Sequence, residues 1–201
     1  MQAIVWFVLK MLGSIAFYPS LAYNLVRNYV QPQRWQWYNR VDENLVLGAL
    51  PFKSMVTELK ENENIGGVVC CTEEFETKAA YNAMDEAAWA KEGIKFHHVP
   101  MQDFTGSTSR HNLHSAVEFI DGVAKEGKSV YVHCKAGRTR SATVATCYLM
   151  YKYNYMPNVA IDIMKRQRHQ IILRNAHWRS VNEYRRFLDS ANSSKSTETS
   201  S

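Results

Sequence analysis

The most constraining feature of the sequence is residues 129–151, where a strand pattern is followed by a short loop and then by a helical pattern. Residues 129–133 read Ser-Val-Tyr-Val-His, a short apolar pattern typical of a buried strand, and residues 141–151 are apolar and helical in type. A short loop, residues 134–140, joins them. A strand that passes through a short loop into a helix is typical of α/β folds. Ligands of such folds bind at the carboxyl ends of the strands, where this loop lies.

The same alternation of strand and helix runs through the rest of the chain. Apolar runs predict further strands at residues 45–50, 65–71 and 95–99. Helical spacing predicts helices at residues 54–61, 78–91, 111–125, 158–168 and 178–188. We therefore expect an α/β fold with a central, mainly parallel sheet flanked by helices.

Cys134 and Arg140 stand at the two ends of the loop, with Gly137 between them. Such a loop can curl so that its backbone N–H groups surround an anion, and the next helix adds its positive end. Gly137 permits the backbone angles that this curl needs, and Arg140 supplies a planar fork for two phosphate oxygens. The same positive field stabilises a thiolate, which predicts a lowered pKa and nucleophilic character for Cys134.

The neighbours of the loop support a phosphate site. Ser141 is placed to donate a hydrogen bond to the sulfur, and His133 is better suited to orient the loop than to act as a base. The ordinary alternative is a buried structural thiol beside a surface arginine, but the position between a strand and a helix argues against it. A nucleotide-binding Walker loop fits poorly, because no Gly-Lys-Ser/Thr ending is present.

The run His-Cys-Lys-Ala-Gly-Arg-Thr-Arg-Ser at residues 133–141 resembles the signature loop of the protein tyrosine and dual-specificity phosphatases. The resemblance implies hydrolysis of phosphate esters through a cysteinyl-phosphate, without a metal ion or other cofactor. It implies catalytic roles for Cys134 and Arg140, and a general acid at Asp103, for which a simple turn residue is the alternative. The residues expected to bind the phosphate are Lys135, Ala136, Gly137, Arg138, Thr139, Arg140 and Ser141.

Four further stretches resemble the mitochondrial branch of the dual-specificity family: residues 37–41, 47–51, 73–77 and 103–106. That branch dephosphorylates phosphatidylglycerophosphate to phosphatidylglycerol, on the route to cardiolipin. The implied function is a phosphoric monoester hydrolase acting on this lipid, and a protein phosphatase of dual specificity is the alternative. The role of residues 73–77 is open. His177 departs from the pattern, because many superfamily members carry there a glutamine that positions the hydrolytic water.

The first part of the chain differs in character from the rest. Residues 3–30 are strongly apolar but are interrupted by Lys10 and Pro19, so a membrane-spanning helix fits poorly. A mitochondrial targeting segment, an interfacial membrane anchor and a secretory signal remain open, in that order of preference. We expect a targeting or membrane-associating segment at residues 1–35, a phosphatase domain at residues 36–189, and a disordered tail at residues 190–201. The expected location is the mitochondrion, at the inner membrane.

The net charge of +5 belongs mainly to residues 1–41, which contain four basic and no acidic residues. A nucleic-acid partner would need a basic stripe on the folded domain, and we expect no such partner. The expected partners are a phospholipid substrate, a membrane surface and phosphoprotein substrates. One basic cluster could meet anionic headgroups or could simply be a solvated helix face: Lys165, Arg166, Arg168, Arg174 and Arg179.

The four cysteines, at positions 70, 71, 134 and 147, form no paired motif of a zinc site or a disulfide scaffold. Cys71 ends the strand predicted to lie beside that of Cys134. A disulfide between the two could protect the nucleophile from over-oxidation, and a buried structural thiol is the alternative.

Overall fold

The structure is a computed structural model that describes residues 17–103 and 106–198, with side chains up to residue 193. The described part of the first helix, α1, covers residues 17–30. A 3-10 turn, Lys53–Met55, precedes α2. The remaining elements are β1 (Tyr38–Arg40), β2 (Leu45–Gly48), α2 (Val56–Glu61), β3 (Ile65–Cys70), α3 (Glu74–Ala79), α4 (Glu86–Lys91), β4 (Lys95–His98), α5 (Arg110–Lys125), β5 (Ser129–His133), α6 (Arg140–Tyr153), α7 (Pro157–Gln167) and α8 (Asn175–Glu198).

Within residues 17–103 and 106–198, five strands form one sheet in the order β1-β2-β5-β3-β4. The pairs β2–β5, β5–β3 and β3–β4 are parallel, and only β1 joins its neighbour in the antiparallel sense. This confirms the predicted α/β fold with a mainly parallel sheet. His133, at the end of β5, pairs with Gly48 on one side and with Cys70 on the other. The carboxyl ends of three strands therefore meet directly beneath Cys134.

The core explains why β5 is apolar throughout. Val130 and Val132 pack on one face of the sheet with α5, α6 and α8, while Tyr131 packs on the other face with Trp89 of α4. Because β5 is buried on both faces, it shows no alternation of polar and apolar residues. Helix α6 is buried from Arg140 to Met150. The loop at residues 134–139 is thus held between two buried elements of the fold.

The predicted helix over residues 78–91 is wrong. The structure instead has α3, which ends at Ala79, and α4, which begins at Glu86. Asn82 between them has a positive φ of 59°, which a helix interior does not allow. Its carbonyl accepts a hydrogen bond from the backbone of Lys53, and Asp85 then caps α4 by accepting one from the backbone N–H of Ala88. The break is thus imposed by contacts with the chain after β2.

Helix α1 packs against the body that carries the sheet. Phe17 and Leu21 are buried in a cluster with Leu50 and Ala80, and the Asn28 side chain donates a hydrogen bond to the Trp35 carbonyl at 2.8 Å. Among the residues that the structure describes, no helix combines the length and the apolar character needed to cross a membrane. Residues 1–16, which hold much of the predicted targeting segment, lie outside the described residues.

The end of the chain is helical where its composition predicts disorder. Helix α8 continues to Glu198, so most of the predicted tail at residues 190–201 belongs to it. Residues 199–201 lie outside the described part. The boundaries assigned at residues 35 and 189 stay predictions.

Candidate active site

The loop between β5 and α6 curls as its sequence predicts. Gly137 has a positive φ of 62°, the left-handed conformation that glycine adopts most readily. A Cβ atom at this position would lie 2.4 Å from the carbonyl group of Gly48, so the loop also needs glycine for space. Thr139, the N-cap residue that precedes α6, makes no side-chain hydrogen bond to the helix end. The positive end of this long helix therefore faces the site.

Arg168 braces the loop from behind, a role that the sequence analysis missed. Its guanidinium donates hydrogen bonds to the carbonyls of Gly137 at 2.7 Å and Ala136 at 3.1 Å, and to Asn39 Oδ1 at 2.8 Å. These bonds turn the loop carbonyls outward, which leaves its N–H groups free to face an anion. Arg168 is 1% exposed, and burial lowers its pKa to about 10.

The assignment of Arg168 to an exposed basic cluster is therefore wrong. Lys165, Arg166, Arg174 and Arg179 are exposed, as predicted for that cluster. The one available signal was spacing, because Arg168 follows the buried Ile161 and Met164 on the same stripe of α7 and its C-terminal extension.

Cys134 lies at the bottom of the site and is 3% exposed. Burial alone would raise its pKa, but the positive charge of Arg140, the Ser141 hydroxyl and backbone N–H groups of Ser141 and Arg138 outweigh this and lower the pKa to about 7. The Ser141 hydroxyl donates to the sulfur at 3.3 Å. A substantial fraction of Cys134 is thus thiolate at neutral pH, as the sequence predicts.

Arg140 is oriented by Glu76, a residue for which the sequence offered no role. The two side chains form a two-pronged ion pair, with Nη1 to Oε2 at 2.5 Å and Nη2 to Oε1 at 3.0 Å. Both are almost fully buried. Burial opposes the charge on Arg140, yet the hydrogen bonds that its guanidinium donates to the Glu76 carboxylate raise the pKa of Arg140 above the usual value. A third hydrogen bond, to the Met101 carbonyl at 3.0 Å, completes the orientation.

Glu76 is itself held by the start of α3. Its carboxylate accepts a hydrogen bond from the backbone N–H of Glu73 at 2.9 Å, in a reciprocal capping box. This explains the stretch at residues 73–77: it caps a short helix and presents a buried carboxylate to Arg140. The capping-box pattern was readable from the sequence, but its partner 64 residues away was not.

Asp103 lies at the same site, where the resemblance implies it should be. Its Oδ1 is 3.2 Å from Arg140 Nη2, and its Oδ2 forms an ion pair with Lys135. Asp103 is about a quarter exposed, whereas Lys135 is buried with its ammonium group 5.6 Å from the ring centre of Phe17. The carboxylate can therefore reach a bound ester while staying within the field of two cations.

Two histidines near the site differ in position. His133 lies behind the loop, where its ring stacks on Tyr131 and burial lowers its pKa to about 4, so it is neutral at physiological pH. This fits a positioning role and not a base. His177 lines the pocket at the start of α8, and burial lowers its pKa as well.

Cys71 lies next to the end of β5, where its N–H donates to the His133 carbonyl at 2.8 Å. Burial, followed by the nearby Cys134, raises its pKa well above the usual value. All four cysteines are free thiols in this structure. A Cys71–Cys134 disulfide stays a prediction.

A pocket of about 250 Å³ opens above Cys134. The loop and Asp103 form its floor and one side, and residues around the start of α8 form another. The third side is unexpected, because it comes from α1, which the sequence analysis assigned to the N-terminal targeting segment. The lining residues of α1 are Ser20, Tyr23 and Asn24.

A thiolate inside an anion-binding loop, with an oriented arginine and a carboxyl group opposite, is the apparatus of a cysteine-dependent phosphatase. Comparison with known proteins agrees. The family model of the dual specificity phosphatase catalytic domain matches residues 59–187. The chain belongs to the dual specificity phosphatase family, and it is a phosphoric monoester hydrolase.

Several proteins that the chain resembles belong to one branch of that family. The chain is 38% identical over 174 residues to the mouse phosphatidylglycerophosphatase and protein-tyrosine phosphatase 1, covering 86% of this chain and 89% of the relative. It is 38% identical over 168 residues to the phosphatidylglycerophosphate phosphatase PTPMT1 of Arabidopsis thaliana. This match covers 84% of this chain and 48% of that relative. The crystal structure of PTPMT1 in complex with PI(5)P matches with a TM-score of 0.74 and 33% identity, over 78% of this chain and 99% of that one.

Proposed function

We propose that the protein hydrolyses the phosphate monoester of phosphatidylglycerophosphate, giving phosphatidylglycerol and inorganic phosphate. The observation that supports this proposal is the lining of the pocket, in which the reactive Cys134 lies beside two cationic residues, Arg138 and Arg174. A substrate with a second anionic group suits such a pocket. The names of the similar proteins support the same substrate.

The first chemical step forms a cysteinyl-phosphate. The Cys134 thiolate attacks phosphorus, the bond from phosphorus to the glycerol oxygen breaks, and Asp103 donates a proton to the departing alkoxide. Arg140 and the loop N–H groups stabilise the charge on the equatorial phosphate oxygens. Glu76 contributes by fixing the guanidinium before substrate arrives, so that no reorganisation is needed during the step.

The second step releases phosphate. Water attacks phosphorus, Asp103 accepts its proton, and the sulfur–phosphorus bond breaks to restore the thiolate. The Ser141 hydroxyl, 3.3 Å from the sulfur, stabilises this leaving thiolate. His177 lines the pocket, and we assign it the role of orienting this water through a ring nitrogen.

The ion pairs of Asp103 with Lys135 and Arg140 are compatible with its role as proton donor in the first step and proton acceptor in the second. Lys135 and Arg140 hold the carboxylate of Asp103 beside the loop. A bound phosphate dianion brings two negative charges to the same cations. It therefore weakens their hold on Asp103 and favours the protonated carboxyl group that the first step needs.

A phospholipid substrate carries a second phosphate, which joins its headgroup to the lipid. Arg138 lines the pocket, and its guanidinium lies 5.3 Å from the ring centre of Trp35 while Nε donates to the Gln170 carbonyl at 3.0 Å. Arg174 is exposed at the rim. These two cations form the subsite proposed for the phosphodiester. The PI(5)P bound to PTPMT1 is also a phospholipid with a phosphate monoester.

The proposal includes a membrane surface as the working site. The outward side of α1 bears exposed apolar and aromatic side chains beside the pocket: Tyr18, Leu25, Val26, Tyr29 and Val30. Apolar and aromatic side chains beside basic ones suit a helix that lies in the headgroup region. The excess of basic residues in residues 1–41 adds attraction to anionic lipids and supports location at the mitochondrial inner membrane.

The deciding experiment compares kcat/KM of the full chain on phosphatidylglycerophosphate in vesicles and on phosphotyrosine and phosphothreonine peptides. We expect the lipid to be preferred by at least tenfold, and Cys134→Ser to abolish turnover of both. A preference for the peptides would overturn the lipid assignment and favour the alternative of a protein phosphatase. Unchanged hydrolysis by Cys134→Ser would overturn the mechanism.

A further inference from the structure

Three residues of α1 face the catalytic pocket. Ser20, Tyr23 and Asn24 are spaced by three and four positions, so they lie on one side of the helix. They line the same cavity as Cys134 and Arg138. The helix therefore contributes a polar wall to the pocket in addition to its exposed apolar side.

The position of α1 is set by contacts at both ends. At the first described residue of α1, the buried Phe17 ring lies 5.6 Å from the ammonium group of Lys135, the residue after the nucleophile. Near its end, the guanidinium of Arg27 lies 4.7 Å from the ring centre of Trp35, which also contacts Arg138. Helix α1 is thus linked to the loop by three cation–π contacts, one direct and two that share the Trp35 ring.

Asn24 has an unsatisfied acceptor. The side chain is 4% exposed, and its Nδ2 donates to the Ser20 carbonyl at 2.8 Å. Because the Ser20 carbonyl can only accept, the amide atom that faces it must be Nδ2, and the other atom must be Oδ1. The remaining atom, Oδ1, is buried and has no hydrogen-bond partner in the described part of the chain. A buried acceptor without a donor is unfavourable, so a ligand that brings one gains affinity.

We propose that Asn24 is a specificity-determining residue, whose Oδ1 accepts a hydrogen bond from the substrate hydroxyl next to the phosphorylated carbon. The inference rests on the proposed function and narrows it. Within the headgroup of the proposed lipid, a charged phosphate oxygen cannot donate, so the group that can donate to Oδ1 is the alcohol. The glycerol headgroup of phosphatidylglycerophosphate has one free hydroxyl, on the carbon beside the phosphate ester. Phosphotyrosine has no such group, so Asn24 favours a polyol phosphate over a phosphoprotein.

The test uses two lipids that differ in that hydroxyl alone: phosphatidylglycerophosphate, and the analogue in which 1,3-propanediol replaces the headgroup glycerol. The wild-type enzyme is expected to prefer the natural lipid by about three- to tenfold in kcat/KM, the range of one hydrogen bond. Asn24→Ala is expected to lose this factor on the natural lipid and to remain within about twofold of wild type on the analogue.

Two further variants separate recognition from stability. Asn24→Leu fills the same space without an acceptor and is expected to lose the same preference. Asn192→Ala removes an exposed asparagine of α8, at the opposite end of the helix from His177. It is expected to leave kcat/KM unchanged on both lipids. The melting temperature of each variant checks its fold.

The outcomes distinguish this inference from the function on which it rests. Equal turnover of both lipids by the wild-type enzyme overturns the role of Asn24 and leaves the lipid phosphatase intact. An equal loss on both lipids in Asn24→Ala and Asn24→Leu also overturns it, because that result indicates a structural role. If the wild-type enzyme hydrolyses phosphopeptides but neither lipid, the proposed function fails and the inference fails with it.

Discussion

Glu76 and Arg140 form a two-pronged ion pair at the centre of the site, with both side chains at most 2% exposed. Glu76 contacts no substrate position directly, yet it determines where the guanidinium points. Buried ion pairs are weak evidence for stability, because desolvation offsets much of the attraction. Their separation is costly, since it leaves one charge buried without a partner. We therefore assign the pair mainly an orienting role.

This pair predicts the behaviour of Glu76→Gln and Glu76→Ala. The alanine variant should lose about 3–5 kcal/mol in free energy of unfolding, and both variants should lose activity, with a smaller loss for glutamine because it can still accept one hydrogen bond. Chemical denaturation and kcat/KM on an aryl phosphate measure the two effects. Glu74→Gln is the matched control: its pair with Lys78 is exposed to solvent, so no measurable change in stability or activity is expected. Comparable losses in both positions would contradict the assignment.

The lowered pKa of Cys134 predicts how its reactivity depends on pH. Because the thiolate is the reactive form, alkylation by iodoacetamide should speed up as pH rises and follow a titration with a midpoint of about 7. Ser141→Ala removes a hydrogen bond to the thiolate and should move the midpoint upward. Peptide mapping identifies the labelled residue. Cys147, whose pKa burial raises, should stay unlabelled in the folded protein. A midpoint near that of a free thiol would contradict the electrostatic argument.

Gly137 predicts a sharp contrast between two glycine-to-alanine changes. In Gly137→Ala the left-handed backbone alone costs about 1–2 kcal/mol, and the close approach to the Gly48 carbonyl adds to this. The distorted loop should lose at least about 100-fold in kcat/KM, since misplacement of about 1 Å can cost that much. Gly122 in α5 is exposed, and a Cβ there meets nothing within 4 Å. Gly122→Ala should therefore stabilise the protein by about 0.5–1 kcal/mol and leave kinetics unchanged. Equal effects of the two changes would refute the account.

The sequence predicts the elements near the loop better than the contacts that brace it. β5, the loop and α6 follow from local pattern, and Gly137 follows from the geometry that the loop needs. The pairing of Glu76 with Arg140 is a contact between distant elements, and no periodicity reveals it. The predicted helix over residues 78–91 failed for a similar reason, because a tertiary contact of Lys53 with Asn82 breaks it. The wall supplied by α1 was hidden because its apolar character reads as a targeting signal.

Arg168 yields the last prediction, because it stabilises the loop without reaching the pocket. Arg168→Met keeps most of the side-chain volume but removes every hydrogen bond to the carbonyls of Ala136 and Gly137. At least about 2 kcal/mol in free energy of unfolding should be lost, since buried carbonyls are left unpaired. The loop N–H groups should also lose their fixed direction, so inorganic phosphate should become a weaker competitive inhibitor. Arg166 is exposed in the last turn of α7. Arg166→Met should therefore change neither the free energy of unfolding nor the inhibition by phosphate measurably. Unchanged phosphate inhibition in a destabilised Arg168→Met would show that Arg168 supports the fold but does not shape the anion site.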